Sequence, residues 1–311
     1  MDVTISSPFF APMLPVVLFL TIWLLCWLPF KRLVKGGKVE TKRVSAWFAR
    51  RRIVKFILGH SGSPGKYGPV LLLMVLGAVA AVAAGFLFVM LAEQVERSTS
   101  WVSRADLGVH TWFLNERRPG LTTLFTTATD IGGTIGLGTI VALVAGALFA
   151  RKERASAAFV LATGAAGALL NVGLKAIYAR MRPDALTALV SEKWYSYPSG
   201  HAMDSFIVFG TLVYIALRQP WPWVWKSACV AIGATAVLLI SVSRVYLGVH
   251  WASDIVGGWS AATAWLFFAV LAFEMQLRQR EKRRGPARAS VAGEVPDKPI
   301  RARRPRRAHQ H

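Results

Sequence analysis

The sequence predicts an all-α protein, a polytopic membrane helix bundle, and three observations indicate this fold class. Hydrophobic residues make up 54% of the 311 residues, and the mean hydropathy of +0.43 is high for a soluble domain of this length. The apolar residues gather in separate stretches of about 20, the length that a helix needs to cross the hydrocarbon core of a bilayer. The basic residues lie between these stretches and after the last one.

Seven stretches are long and apolar enough to form transmembrane helices. They lie near residues 9–30, 69–92, 134–150, 155–178, 200–217, 221–242 and 251–273. The start of the chain lacks the basic residues of a secretory signal peptide, and no small-residue cleavage site precedes Lys31. We therefore expect residues 1–30 to remain as an N-terminal transmembrane anchor.

The charges of the loops predict the orientation of the bundle. Residues 31–68 carry eleven basic residues and a single acidic one, Glu40, so this basic loop is expected to be cytoplasmic. If every helix crosses once, the basic turn at 151–154 and the C-terminal tail lie on the same side. Residues 93–132 hold four basic and five acidic residues, which fits an external loop. The N-terminus is then outside, and the protein is expected in the cell membrane.

The basic segments account for a formal net charge of +21. Their positions between and after apolar stretches are typical of membrane orientation and argue against nucleic-acid binding, which needs basic residues along a folded surface. The tail, residues 274–311, is rich in Pro and Arg with few large apolar residues, so we expect it to be disordered. The loop and the tail either serve orientation alone or also bind anionic lipid headgroups.

Three polar clusters lie where this topology places the external ends of helices. The first runs from Lys175 to Arg182 and Pro183. A step of seven residues is nearly two helical turns, so both cations are expected on one face. Taken alone, this cluster is also typical of basic side chains that extend to the membrane surface, with Pro183 ending the helix.

The second cluster is Pro198-Ser199-Gly200-His201, directly before an apolar stretch. Ser199 is expected to cap a helix whose free backbone N–H groups bind phosphate. His201 then lies in the first turn, in a position to donate a proton to a leaving-group oxygen.

The third cluster runs from Ser243 to Asp254. His250 and Asp254 are four residues apart and are therefore neighbours on one helix face, so the carboxylate can accept a hydrogen bond from the imidazole. That bond leaves the other ring nitrogen free as a nucleophile. Arg244 is a candidate to neutralise the charge of a phosphate.

The three clusters, KAIYARMRP, PSGH and SRVYLGVHWASD, together resemble the three-part signature of the type 2 phosphatidic acid phosphatase superfamily. They occur in order with eleven matching residues, which is far more specific than any single short motif. The resemblance covers roughly residues 69–273 and implies a six-helix phosphatase core, to which the N-terminal helix is an addition. The last cluster is similar to that of bacterial members.

The resemblance also implies a mechanism. His250 would attack phosphorus to form a phosphohistidine, Asp254 would orient it, and His201 would protonate the leaving group before water releases phosphate. The phosphoryl oxygens would be bound by Lys175, Arg182, Arg244 and the backbone amides of Ser199 and Gly200. Neither a metal ion nor another cofactor is expected.

Other residues near the motifs keep two interpretations. Asp204 either accepts a hydrogen bond from His201 or favours the helix dipole. Arg180 either assists a second phosphate or lies at the headgroup level. The aromatic residues before PSGH are expected in an interfacial belt, with contact to lipid as the alternative; they are Trp194, Tyr195 and Tyr197.

The predicted function is hydrolysis of a lipid phosphate or pyrophosphate at the outer face of the membrane. The candidate substrates are an isoprenoid pyrophosphate, slightly preferred, phosphatidylglycerol phosphate and phosphatidic acid. Two alternatives stay open: phosphotransfer to another lipid through the same phosphohistidine, and a non-catalytic membrane scaffold. The sequence leaves the oligomeric state open.

Overall fold

The structure is a computed structural model that describes residues 64–97 and 99–292, with side chains described for 74–97 and 99–280. The predicted N-terminal anchor, the basic loop as far as residue 63 and the tail from residue 293 lie outside the described residues. The predictions for these segments therefore stay predictions.

Among the described residues all the regular secondary structure is helical, with no β-strand. The helices are α1 (Pro64–Glu96), α2 (Trp101–Asn115), α3 (Pro119–Gly132), α4 (Thr134–Ala150), α5 (Arg154–Tyr178), α6 (Gly200–Arg218), α7 (Trp223–Tyr246) and α8 (Ala252–Ala292).

Five of these helices, α1, α5, α6, α7 and α8, contain a stretch that is long and apolar enough to cross a membrane. The predicted span at 134–150 corresponds to α4, which has only 17 residues. It qualifies together with α3, to which it is joined at a bend of 55°. The described helices thus provide up to six spans, in agreement with the six apolar stretches predicted between residues 69 and 273.

Two helices lie within the segment 93–132 that the sequence analysis treats as an external loop. Helix α2 begins after Ser100, whose hydroxyl oxygen accepts a hydrogen bond from the Ser103 amide at 3.0 Å. Helix α3 begins with Pro119, a residue that suits the first helical position because its missing N–H is not needed there. A search for stretches of about 20 apolar residues does not detect such short helices.

Helix α8 extends past the boundary at which the sequence analysis places a disordered tail. It continues to Ala292, so residues 274–292 are helical. This segment contains Glu, Gln, Lys and Arg, all of which have high helix propensity. The described chain forms two units divided within this helix, the first ending at Ala269 and the second beginning at Val270.

The first unit is organised around α6, which packs against both α5 and α7. Its buried residues Met203 and Ile207 form a core cluster with Ala262 of α8. A long loop, residues 179–199, connects α5 to α6. The Leu189 amide in this loop donates to the carbonyl oxygen of Leu247 at 2.9 Å, which fixes the loop against the end of α7.

Candidate active site

The three predicted clusters meet at one end of the helix bundle. Helices α5 and α7 end there, and α6 and α8 begin there. A cavity of about 600 Å³ is lined at this end by residues of α4, α5, α6 and α7 and of the loops that join the helices. Six of the eight predicted site residues line it: Lys175, Arg182, Gly200, His201, Arg244 and His250.

The turn between α7 and α8 positions His250. Gly248 adopts a φ of +78°, a left-handed conformation that favours glycine. The reversal brings the amides of Val249 and His250 back to the carbonyl oxygen of Arg244, at 3.1 and 3.2 Å. The nucleophile candidate and one of the predicted phosphate-binding residues therefore lie beside each other.

The His250 imidazole has a different partner at each nitrogen. Its Nδ1 lies 3.1 Å from Oδ2 of Asp254, and its Nε2 lies 3.2 Å from Nη1 of Arg182. A carboxylate can only accept a hydrogen bond and a guanidinium can only donate one. These contacts therefore put the proton on Nδ1 and leave the lone pair on Nε2, the nitrogen on the side of the predicted phosphate-binding cations.

The pKa of His250 lies well below its ordinary value, chiefly because burial disfavours the charged imidazole. The hydrogen bond and the charge of Asp254 act in the opposite direction, and Arg244 and Arg182 lower the pKa further. The imidazole is therefore neutral at neutral pH, as a nucleophile requires.

Asp254 is fully buried, and several donors converge on it. Its Oδ2 accepts from the backbone amide of Trp251 at 2.8 Å and from the hydroxyl of Ser196. Its Oδ1 accepts from Nη1 of Arg180 at 2.6 Å. Arg180 thus lies behind the histidine and does not line the catalytic cavity.

Two of the predicted phosphate-binding cations are held by backbone oxygens of the loop between α5 and α6 and of the turn between α7 and α8. Lys175 donates from Nζ to the carbonyl oxygen of Tyr195 at 2.6 Å. Arg182 donates from Nε to Trp194 O and from Nη1 to Val249 O, both at 2.5 Å. These contacts orient both side chains toward the same cavity.

Glu192 is a site residue that the sequence analysis misses. Its carboxylate accepts a hydrogen bond from Arg244 and lies 3.8 Å from Nη2 of Arg182. Burial would raise the pKa of Glu192, but the charge and hydrogen bond of Arg244, together with Arg182, hold it below its usual value. An anionic carboxylate therefore lies against two predicted phosphate-binding residues. It belongs to none of the three motifs.

Ser199 does not have the contact predicted for it. Its amide donates to the carbonyl oxygen of Asp254 at 3.0 Å, and the residue is fully buried. That amide therefore connects the start of α6 to α8 and is not available to a phosphate. Gly200 does line the cavity, and a Cβ there would lie 3.1 Å from Oδ1 of Asn171.

The structure also bears on the predictions for Asp204 and for the aromatic residues before the PSGH cluster. Asp204 lines the cavity, and its Oδ1 accepts no hydrogen bond from His201 or from any other described residue. Trp194 and Tyr195 are 60% and 42% exposed, consistent with a belt at the membrane surface. Tyr197, in contrast, is fully buried and donates from its hydroxyl to Phe88 O at 2.9 Å, so its predicted place in the belt is wrong.

The cavity continues from the cations into an apolar groove between α4, α5 and α6. Eight small or apolar residues form its walls: Leu137, Gly138, Val141, Leu161, Gly164, Ala165, Ala168 and Val208. Along α5 the lining extends from Lys175 to Leu161, fourteen residues or about 21 Å of helix. Leu161 and Val172 are about half exposed, so the groove is open at the side of the bundle.

Comparisons with known proteins agree with this arrangement. The profile of the PAP2 superfamily matches residues 155–278. Phosphatidylglycerophosphatase B of Bacillus subtilis is 30% identical over 193 residues, which cover 62% of this chain and 93% of that protein. Undecaprenyl-diphosphatase of Sulfolobus acidocaldarius is 35% identical over 80 residues, 26% of this chain and 34% of that protein.

A solved structure of a related protein is also similar to this chain in fold. The crystal structure of the transmembrane PAP2 type phosphatidylglycerolphosphate phosphatase from Bacillus subtilis is similar with a TM-score of 0.56 and 30% identity. The match covers 63% of this chain and 96% of that chain. The predicted fold class and the enzyme class, a hydrolase of phosphate esters or diphosphates of lipids, are confirmed by these matches. The chain belongs to the PAP2 superfamily, the type 2 phosphatidic acid phosphatases.

Proposed function

We propose that this membrane protein hydrolyses a lipid phosphate or pyrophosphate through a phosphohistidine on His250. One observation carries the proposal. The unprotonated Nε2 of His250 faces the guanidinium of Arg182 in a cavity that also contains Lys175 and Arg244, and this cavity continues into an apolar groove. A nucleophile, three cations and an apolar channel together suit a substrate with a phosphate head and a hydrocarbon chain.

The first chemical step is an in-line attack on phosphorus. The Nε2 lone pair forms a bond to phosphorus while the bond to the leaving oxygen breaks, and His201 gives that oxygen a proton. The phosphorylated imidazole carries a positive charge, which the adjacent Asp254 carboxylate stabilises.

The second step releases phosphate. Water attacks the phosphorus and gives a proton to His201, the bond between phosphorus and Nε2 breaks, and His250 returns to its neutral state. Lys175, Arg182 and Arg244 stabilise the charge on the phosphoryl oxygens in both steps, the main protein contribution to phosphoryl transfer. Of the two predicted amide donors, the Gly200 amide is the one retained in this mechanism.

The site is assigned to the outer face of the membrane. The opposite end of the bundle contains the turn between α4 and α5, with Arg151, Lys152 and Arg154, and the turn between α6 and α7, with Arg218 and Lys226. Short loops rich in Lys and Arg stay in the cytoplasm during insertion. The end that carries the cavity is then extracytoplasmic.

Among the three candidate lipids, phosphatidylglycerol phosphate is now the first choice. The relative named phosphatidylglycerophosphatase B is matched over 93% of its length, whereas the undecaprenyl-diphosphatase is matched over 34%. This order reverses the slight preference for an isoprenoid pyrophosphate that the sequence alone suggests.

The test is release of inorganic phosphate by the purified protein in detergent. Phosphatidylglycerol phosphate, undecaprenyl pyrophosphate and phosphatidic acid are compared, each with a chelator present and each with the His250→Ala variant as control. We expect chelator-resistant release that the variant lacks, fastest from phosphatidylglycerol phosphate. Release that the variant retains would exclude His250 as the nucleophile.

Phosphotransfer is distinguished in the same experiment by adding an acceptor. If phosphate appears in a second lipid and little is released to water, the phosphohistidine serves transfer and not hydrolysis. If none of the three lipids reacts with or without acceptor, the proposed function is wrong for these substrates.

A further inference from the structure

Behind Asp254 lies a second ion pair, formed by Arg180 and Asp106. Arg180 donates from Nη1 to Oδ1 of Asp254 at 2.6 Å and from Nη2 to Oδ2 of Asp106 at 2.8 Å. One guanidinium therefore joins two carboxylates, of which only Asp254 touches the histidine. Arg180 is not part of the resemblance to the superfamily signature, and Asp106 belongs to α2, which the sequence analysis treats as loop.

Asp106, like Asp254, is buried and accepts several hydrogen bonds. It is 3% exposed, and its carboxylate accepts from the Ser253 amide at 2.9 Å and from the Ser253 hydroxyl at 2.5 Å. The Ser253 hydroxyl also lies 2.8 Å from Nη1 of Arg180. Through these contacts α2 holds the first turn of α8, the turn that carries Asp254.

The charges of Asp254, Arg180 and Asp106 suggest a role for this group in the reaction. Two buried carboxylates share one guanidinium, which leaves one negative charge beside the His250 ring. When His250 attacks phosphorus its ring becomes positive, and the charge is then balanced. Removing the guanidinium would leave more negative charge at the ring, and removing the outer carboxylate would leave less.

We propose that Arg180 and Asp106 are positioning residues of the phosphoryl-transfer reaction, which set how much of the Asp254 charge reaches the His250 imidazole. The proposal rests on the proposed function, because it concerns the same nucleophile. Neither residue touches the substrate. Both act through Asp254.

The two residues carry opposite charges, so their removal should have opposite effects on the ring. In Arg180→Gln the imidazolium gains stabilisation and His250 takes up its proton at a higher pH. In Asp106→Asn the guanidinium is left to Asp254 alone, and His250 takes up its proton at a lower pH. The other charged groups around the ring are the same in both variants: Lys175, Arg182, Glu192, His201 and Arg244.

The measurement is the pH profile of kcat/KM, whose acidic limb reports protonation of the free enzyme. We expect Arg180→Gln to move the midpoint of this limb up by about one pH unit, whereas Asp106→Asn moves it below the wild-type position. Ionisation of the substrate is common to all variants and cancels in the comparison. In both variants kcat should fall by up to about a hundredfold, with little change in KM, because the nucleophile is disturbed while the residues that bind the phosphate are kept.

Three further variants separate positioning from folding. Arg180→Lys keeps the charge and should keep the wild-type midpoint. The double variant Arg180→Gln/Asp106→Asn removes the outer carboxylate together with the guanidinium, so Asp254 is the single buried carboxylate that loses its Arg180 partner. It tests the idea even if a single variant does not fold. Its midpoint should lie above that of the wild type, because only Arg180 contacts Asp254 directly. Arg104→Gln, an exposed arginine of α2, is the matched control and should change nothing.

The outcomes are distinguishable from a failure of the proposed function. If the wild type releases phosphate, His250→Ala does not, and all the folded variants share the wild-type midpoint, the positioning role is wrong while the proposed function holds. If the wild type releases no phosphate, the proposed function itself fails. A midpoint that moves in the same direction in both single variants also overturns the proposal.

Discussion

The two sides of the catalytic cavity are held by different kinds of contact. On the nucleophile side, His250 and Asp254 are bonded to Ser196, to backbone and to Arg180, partners that a substrate has no need to replace. On the phosphate side, Arg244 and Arg182 share the carboxylate of Glu192, an anion in the place where the resemblance predicts phosphoryl oxygens. In the proposed mechanism the nucleophile is therefore preorganised, whereas a phosphate would have to replace Glu192 as the partner of the two arginines.

The largest effect is expected on the nucleophile side, from Asp254→Asn. The amide keeps the shape of the carboxylate but lacks its charge, and its NH2 group must face either the imidazole or the Arg180 guanidinium, both of which need an acceptor. The carboxylate that holds the proton on Nδ1 and stabilises the positive ring is therefore lost. In a histidine-carboxylate pair of this kind the loss in kcat is about ten-thousandfold. Steady-state phosphate release measures it.

Asp184→Asn is the matched control for that variant. Asp184 is exposed, and its side chain accepts a bond from the Leu186 amide at the surface of the loop. It should retain wild-type activity. A tenth or more of the wild-type kcat in Asp254→Asn would show that orientation of His250 by this carboxylate is not needed.

The phosphate side is tested by Glu192→Gln. Without the carboxylate, Arg244 and Arg182 lose their anionic partner, and inorganic phosphate no longer has to displace it. One such charged hydrogen bond contributes about 1.5 to 3 kcal/mol, so the inhibition constant of inorganic phosphate should fall by about tenfold. Because the pKa of Glu192 lies below its usual value, the difference persists from neutral pH down to that usual value and is lost only as the pH falls through the lowered pKa.

Glu153→Gln provides the comparison for Glu192→Gln. Glu153 pairs with Arg151 in the turn at the opposite end of the bundle. Its removal should leave inhibition by phosphate unchanged. If phosphate binds more weakly to Glu192→Gln than to the wild type, Glu192 assists the anion site and does not compete for it.

Whether the sequence predicts a contact depends on how far apart its two residues lie along the chain. His250 and Asp254 are four residues apart, so their contact follows from helix geometry. The ion pair of Arg180 with Asp106 spans 74 positions, and the bond of Arg244 to Thr129 at 2.6 Å spans 115. No local pattern reports such contacts.

The helices also differ in how well the sequence predicts them. The long apolar spans are visible in the sequence because lipid requires about 20 apolar residues, whereas α2 and α3 are short and contain polar residues on the sides that pack against the site. The sequence predicts Tyr197 in the belt because aromatic residues are common near a membrane surface. Its burial depends on packing against Phe88 of α1, which the sequence does not reveal.

The apolar groove is expected to determine how the lipid chain binds and to leave the rate of phosphoryl transfer unchanged. A Cβ at Gly164 would meet only Val141, at 3.8 Å, so Gly164→Leu adds a side chain to the groove without a backbone clash. It should raise KM for a long-chain lipid phosphate by about tenfold, the effect of a few methylenes in an apolar site. A short-chain soluble analogue should react as with the wild type.

The groove variant has a close control in Gly146→Leu. Gly146 lies on the exposed side of α4, where a Cβ would contact nothing within 4 Å. This variant should bind both substrates normally. An equal rise in KM for short and long chains in Gly164→Leu would mean that the groove does not hold the chain.

The smallest effect is expected on stability, from Asp204→Leu. Oδ1 of Asp204 is buried and has no partner among the described residues. An unsatisfied buried polar group costs about 1–3 kcal/mol, so an apolar residue there should raise the midpoint of thermal unfolding in detergent by a few degrees. Asp130→Leu, at an exposed carboxylate, should not. A stabilised Asp204→Leu protein with impaired turnover would show that this carboxyl is retained for function at a cost in stability, whereas a destabilised one would show that the Asp204 carboxyl has a partner in the membrane-embedded protein.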